Sequence, residues 1–142
     1  MLTPDQIERC TALWRRLYAR GAVRWMPGMA GTIAGFTGRA HRITAAGSSM
    51  APWYIVGDCP AFGNPDDDPD LAPDWTDPAT RGCLTAMARE ATGDPALCAR
   101  LCFARHADLP RWRAEGPDDI FATADNEPEA LLLAIEEATN AK

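Results

Sequence analysis

The sequence has no apolar run that approaches the ~20 residues a membrane-spanning helix needs. Its first residues, Met-Leu-Thr-Pro-Asp-Gln, lack the basic-then-apolar layout of a secretory signal, so a cytoplasmic location is expected. Cysteine is present as an odd set of five with no Cys-x-x-Cys spacing. Cys10, Cys59, Cys83, Cys98 and Cys102 therefore read as small core residues, and a disulfide framework is not expected. Histidine is scarce: His41 and His106 are the only two, which restricts histidine-based triads to those positions. No serine stands in a nucleophile-elbow spacing. Gly28, Gly31, Gly35 and Gly38 neither open a helix nor present the lysine of a phosphate-cradling loop. Acids are plentiful enough for a general acid–base pair, but spacing selects none. The balance is against an enzyme, with no cofactor, no metal and no catalytic residue assigned.

What is there describes an ordered protein. A chain of 142 residues, 46% hydrophobic and 24% charged, has the composition of one globular domain spanning 1–142. Its net charge of −6 is unevenly spread. Residues 1–50 hold seven arginines (Arg9, Arg15, Arg16, Arg20, Arg24, Arg39, Arg42) against Asp5 and Glu8, and the acidic excess lies wholly in residues 51–142. A basic first part could approach phosphates, an acidic remainder could attract a basic protein, or the two parts could face each other in the fold.

Residues 58–78 hold seven aspartates and five prolines with no basic residue. Proline fixes φ and removes donors, so neither a helix nor a central strand is expected there. Phe62, Leu71 and Trp75 are more apolar than a solvating linker requires, so the segment is expected to be a long, stiff, partner-facing loop. Asp66, Asp68, Asp70, Asp74 and Asp77 fall at offsets 1, 3, 5, 9 and 12 of a calcium loop. Leu71 takes the place of the turn glycine and Asp77 that of the bidentate glutamate, so calcium is not expected. Cys98, Cys102 and His106 would align as zinc ligands only on an unbroken helix, and a strand at these positions would scatter them.

Three helices are predicted. Thr3-Pro4-Asp5-Gln6 carries a capping box with proline at the first helical position; Ile7, Cys10, Leu13, Trp14, Leu17 and Tyr18 form the inward stripe, and Gly21 ends it. Arg9, Arg16 and Arg20 share another face of this helix. Asp77-Pro78 starts the second, with Leu84, Met87, Ala88 and Ala91 inward and Gly93 at its end. Gly82 inside it suggests close packing against a neighbour. Asp94-Pro95-Ala96 repeats the start signal and predicts another short helical segment. Asn126 caps the last helix, in which Leu131, Leu132, Ile135 and Ala138 face inward. Strands are predicted at 22–26, 39–44 and 53–56, then at 101–103, 111–113 and 120–123, with Trp112 a half-buried strand residue. The class is α+β: small antiparallel sheets packed with an N-terminal, a central and a C-terminal helix, and the acidic loop between.

The run Asp77-Pro78-Ala79-Thr80-Arg81-Gly82-Cys83-Leu84, continuing to Arg89-Glu90-Ala91, resembles a motif of small bacteriophage and prophage proteins of unassigned activity. Trp25-Met26-Pro27-Gly28-Met29 is similar to a Trp-apolar-Pro-Gly-Met segment of theirs, and Glu129-Ala130-Leu131 to their Glu-Ala-Leu ending. The resemblance covers three islands, of which the central one is specific. It implies an accessory protein that acts inside a host cell by binding a host protein, such as a component of a defence system, and it transfers no catalytic residue. The partner surface expected on this basis is Phe62, Asp66, Asp67, Asp68, Asp70, Leu71 and Trp75, with charge speeding encounter and aromatics anchoring. The alternatives are a nucleic-acid-binding protein using Arg9, Arg16, Arg20, Arg24, Arg39 and Arg42, and a small enzyme or ligand-binding module. The exposed aromatics would also suit a homodimer.

Overall fold

The computed structural model describes residues 1–33, 41–45, 52–56, 59–63, 65, 70–103 and 111–141. The expectations that rest on Gly35, Gly38, Arg39, Asp58, Asp66, Asp67, Asp68, Pro69 and His106 lie outside these residues, as does the loop at 47–49. The fold is α+β and divides into two compact units. Residues Met1–Val23 with Leu84–Lys142 form the first, and the intervening Arg24–Cys83 forms the second.

The first unit begins with α1 (Pro4–Ala19). Thr3 Oγ1 accepts from Gln6 N and Gln6 Oε1 accepts from Thr3 N, so the predicted capping box is closed on both sides. Cys10, Leu13, Trp14 and Leu17 are buried, whereas Ile7, placed in the same stripe by its spacing, is 41% exposed. Tyr18 is half-buried and stacks on Trp14 with ring centroids 6.0 Å apart. Gly21, at φ 71°, takes the left-handed conformation that ends the helix. α2 (Pro78–Thr92) crosses from the second unit into the first, where Leu84, Met87 and Ala88 are buried. Gly93, at φ 73°, closes it.

The strands β6 (Cys98–Cys102), β7 (Arg111–Glu115) and β8 (Ile120–Ala124) form an antiparallel meander with β7 in the middle. α3 (Glu127–Asn140) packs on this sheet and beside α1. Its Leu131, Leu132, Ala134 and Ile135 are completely buried, as is Ala114 on the sheet; Ala138 is half-buried. Asn126 is the N-cap: its Oδ1 accepts from Glu129 N at 2.9 Å and from Cys10 Sγ at 3.4 Å, which ties α3 to α1. Two expectations fail along α2 and just beyond it. Asp94-Pro95-Ala96 is a turn and not a helix, because Asp94 Oδ1 accepts from Ala96 N two residues on and closes the chain locally. Gly82 is not at a close approach, since a Cβ there would meet nothing within 4 Å. The close approach in this unit is at Gly116, where a Cβ would overlap the Asp94 carboxylate unless that side chain moved.

The second unit is built on a five-stranded antiparallel sheet in the order β4-β3-β2-β1-β5. The strands are β1 (Ala30–Ile33), β2 (His41–Ala45), β3 (Pro52–Val56), β4 (Cys59–Gly63) and β5 (Leu71–Pro73). The acidic segment, expected to be a loop up to the Asp77-Pro78 helix start, thus supplies both edge strands. The proline rule survives this correction: Pro60 and Pro73 lie on edges, where no ladder donor is lost. The predicted strand at 22–26 is irregular chain instead, and pairing starts at Ala30, with Gly31 opposite both His41 and Pro73. Gly31 is where this core closes most tightly: a Cβ would stand 2.8 Å from Leu71 Cδ1 and 3.2 Å from the Trp25 ring. Trp25, Met29, Ile43, Leu71, Ala72 and Trp75 fill this core.

Candidate functional site

Two of the three sequence islands come together in the second unit. Met26–Met29 forms a turn closed by Met29 N donating to Met26 O, with Gly28 at φ 97°. The turn is held to β2 by Gly28 N donating to Ile43 O and Ile43 N donating to Met29 O, each at 2.8 Å. Arg42, on the same strand, reaches over it. Its Nη1 donates to Gly28 O at 2.6 Å and to Asp77 Oδ2 at 3.3 Å, while Nη2 donates to Asp77 Oδ1 at 3.0 Å.

Asp77 is the predicted cap of α2 and more. Its Oδ2 accepts from Thr80 N at 2.9 Å and from Thr80 Oγ1 at 3.1 Å. Thr80 has no exposed surface, and its hydroxyl also accepts from Ala30 N at 2.9 Å. Cys83, one turn further on, lies with Sγ 3.9 Å from Pro27 O. The Asp-Pro-Ala-Thr-x-Gly-Cys motif and the Trp-Met-Pro-Gly-Met segment are therefore joined through Arg42, Thr80 and Cys83.

The electrostatics of this cluster favour holding over reacting. Burial raises the Asp77 pKa, but hydrogen bonds from Arg42 and Thr80, together with the Arg42 charge, outweigh it and hold the carboxyl below its ordinary value. The Cys83 thiol is pushed up by burial and by the Asp77 charge, the reverse of what a nucleophile needs. In the first unit, burial and the nearby Glu129 push Cys10 up to about 12. Because the folded pKa of Asp77 is depressed, its contribution is whole above the ordinary carboxylate value near ~4. That contribution is lost as pH falls through the folded value. Unfolding stability should therefore drop more steeply below about pH 4 for the native chain than for Asp77→Asn. Identical acid limbs in denaturant titrations would contradict the pairing.

The expected partner residues are dispersed by the fold. Asp70 is exposed just before β5, and Phe62 lies on β4. Leu71 and Trp75 are 4% and 2% exposed, so their side chains belong to the core of the second unit. Leu71 opens β5, which pairs with β1, and Trp75 follows that strand by two residues, so pairing draws both side chains inward. Asp74 and Asp77, the last two members of the calcium-like count, are occupied as local caps: Asp74 Oδ1 accepts from Thr76 N at 3.0 Å and Thr76 Oγ1 at 2.6 Å. Among the described residues, no group of three or more His, Cys, Asp or Glu side chains could hold a metal ion. Cys98 and Cys102 stand at the two ends of a strand, and not one turn apart on a helix.

The arginine row of α1 is paired within the first unit. Arg9 donates to both carboxylate oxygens of Glu129 at 3.3 Å, and its Nη2 also meets Asp125 at 3.4 Å. Arg16 donates to both oxygens of Glu136 at 2.9 and 3.1 Å, and Arg20 Nη1 donates to Asn140 Oδ1 at 2.8 Å. Glu129, Glu136 and Asn140 each lie 120 positions on, a constant offset that requires α1 and α3 to run parallel, side by side. Arg9, Arg16 and Arg20 and their partners repeat the same 7- and 4-residue steps, which keep each set on one helix face. Arg24 is exposed, and Arg42 is committed as described above.

Sequence reasoning passed over the open face of the β6-β7-β8 sheet. Register places Arg100 opposite Arg113 and Cys102 opposite Arg111. The alternation Arg111-x-Arg113-x-Glu115 carried the signal, but its import depended on knowing which strand lies beside it. The chain matches no protein-family model, no curated protein and no solved structure. Among the described residues no helix is long and apolar enough to cross a membrane.

Proposed function

We propose that this chain is an accessory protein of phage type that acts by binding a host protein, occupying a basic surface there as an inhibitor of a defence system would. The observation that carries this reading is the ladder between α1 and α3. Of the arginines that gave nucleic-acid binding its case, Arg9, Arg16 and Arg20 are engaged by Glu129, Asp125, Glu136 and Asn140, and Arg42 by Asp77. An arginine already bridged to a carboxylate gives up that pairing to meet a phosphate, so the row is a poor phosphate binder. The chain as a whole retains a net charge of −6, and the densest run of acids is Asp66, Asp67, Asp68 and Asp70. A concentrated negative patch steers encounter with a positively charged partner and suppresses approach to nucleic acid.

The test is capture from host lysate on the immobilised chain, followed by identification of the retained protein. One specific protein should be retained by the native chain and reduced at least about tenfold by Asn at positions 66, 67, 68 and 70 together. Retention of nothing at any salt concentration, or a partner indifferent to those four charges, would overturn the reading.

A further inference from the structure

Among the described residues, the three-stranded sheet has one covered face and one open face. α3 packs on the sheet, and Ala114 and Ala124 are buried at 0% and 7% exposure. The other face follows from register. Arg100 is directly opposite Arg113, Cys102 is opposite Arg111, and Cys98 is opposite Glu115. Three guanidinium groups thus share a face on which these two strands supply one carboxylate, Glu115, 3.5 Å from Arg100 Nε. Like charges directly across neighbouring strands repel, so the Arg100–Arg113 pair weakens the free sheet. Toward Cys98 the face runs into an acidic turn, where Asp118 and Asp119 join Arg100 and Glu115 in lining a cavity of about 350 Å³. The positive surplus therefore lies toward Arg111 and Arg113.

The edge of the same sheet carries a second, separate signal. β6 is an edge strand, with β7 on one side and no strand on the other among the described residues. An unpaired edge presents a row of backbone donors and acceptors to any strand that approaches. Leu101 is 37% exposed and Phe103 78% exposed, and both have the parity opposite to Arg100, whose side chain is 69% exposed. A strand laid along this edge would meet guanidinium groups on one face and apolar side chains on the other.

We propose that the β6 edge with its arginine face is a second docking surface, which takes an extended segment of a partner protein in which acidic and apolar residues alternate. Added as a fourth strand, the segment pairs its backbone with β6. Its carboxylates reach Arg113 and Arg111, where the positive surplus lies, in the bidentate geometry that guanidinium favours. Its apolar side chains cover Leu101 and Phe103. A nucleic acid could neutralise the arginines, but it would leave the edge groups unpaired and Leu101 and Phe103 uncovered, so the peptide segment fits more of the surface. This surface is independent of the acidic residues at 66–70 and needs a partner of opposite charge pattern.

The experiment is an amide NMR titration of the full chain with three probes. These are a nine-residue peptide alternating Glu with Leu and Val, a peptide of the same composition with the acids in one block, and a single-stranded oligothymidylate. The alternating peptide should shift the amides of residues 98–103 saturably, and the block peptide should bind at least about tenfold more weakly. Arg113→Gln should weaken the alternating peptide several-fold and raise the Tm of the free chain, because it relieves the cross-strand repulsion. Equal binding of both peptides, tighter binding of the oligothymidylate at the same amides, or an Arg113→Gln chain with lowered Tm and unchanged peptide affinity would each overturn the proposal.

Discussion

Replacing Trp75 by alanine is expected to cost the protein about 3–5 kcal/mol, the range for removing a fully buried aromatic side chain. Trp75 is 2% exposed and shares the core of the second unit with Trp25, Met29, Ile43 and Leu71. That core closes tightly where Gly31 brings β1 against Leu71 and Trp25, so it has little freedom to collapse into the space a tryptophan leaves. Phe103→Ala is the informative companion. At 78% exposure Phe103 contributes little to folding, and its loss should change stability by no more than about 0.5 kcal/mol. Urea unfolding of the three chains, followed by circular dichroism, reads both effects. A Trp75→Ala chain as stable as the native one would return this residue to the surface and restore it as a partner anchor.

Thr80→Val should follow with a loss of about 1–3 kcal/mol, although valine has the same shape and buries more apolar surface. The reason is the hydrogen-bond account. Thr80 Oγ1 accepts from Ala30 N and donates to the Asp77 carboxylate, and both Thr80 and Ala30 are completely buried. Valine leaves the Ala30 N–H without this acceptor and takes one donor from Asp77, and a buried unmade hydrogen bond costs its full desolvation penalty. Thr80→Ser retains the hydroxyl and should lose clearly less than the valine chain. A valine chain that equals the native one in thermal unfolding would show that the hydroxyl does not organise this cluster.

Local signals carried much of this fold. The capping box at Thr3, the Asp77-Pro78 and Asn126 starts, and the glycines at 21 and 93 depend on residues within one turn of each other, and the structure places all of them as read. What failed depended on distant partners. The 58–78 segment was expected to be a loop because its prolines forbid a central strand, yet edge strands tolerate proline, and only pairing with β3 and β1 reveals β4 and β5 as edges. The same pairing turned Leu71 inward. The glycine of closest approach was sought at Gly82 in α2 but is found at Gly31 and Gly116, whose neighbours Leu71 and Asp94 are remote in sequence. The arginine row of α1 was legible as a row. Its partners were not read, because although Glu129, Glu136 and Asn140 repeat its steps, nothing local says that the two helices run parallel and adjacent.

If the arginines of α1 serve the fold while the acids at 66–70 serve a partner, neutralising the two sets should have separate effects. The most direct measurement is the affinity of the captured host protein for three purified chains: native, Asn at 66, 67, 68 and 70, and Gln at Arg9, Arg16 and Arg20. The acid-neutralised chain should keep its thermal stability and bind at least about tenfold more weakly. The arginine-neutralised chain should unfold at a lower temperature and, below it, bind as the native chain does. The reverse pattern, with affinity lost through the arginines and indifferent to the aspartates, would contradict the account.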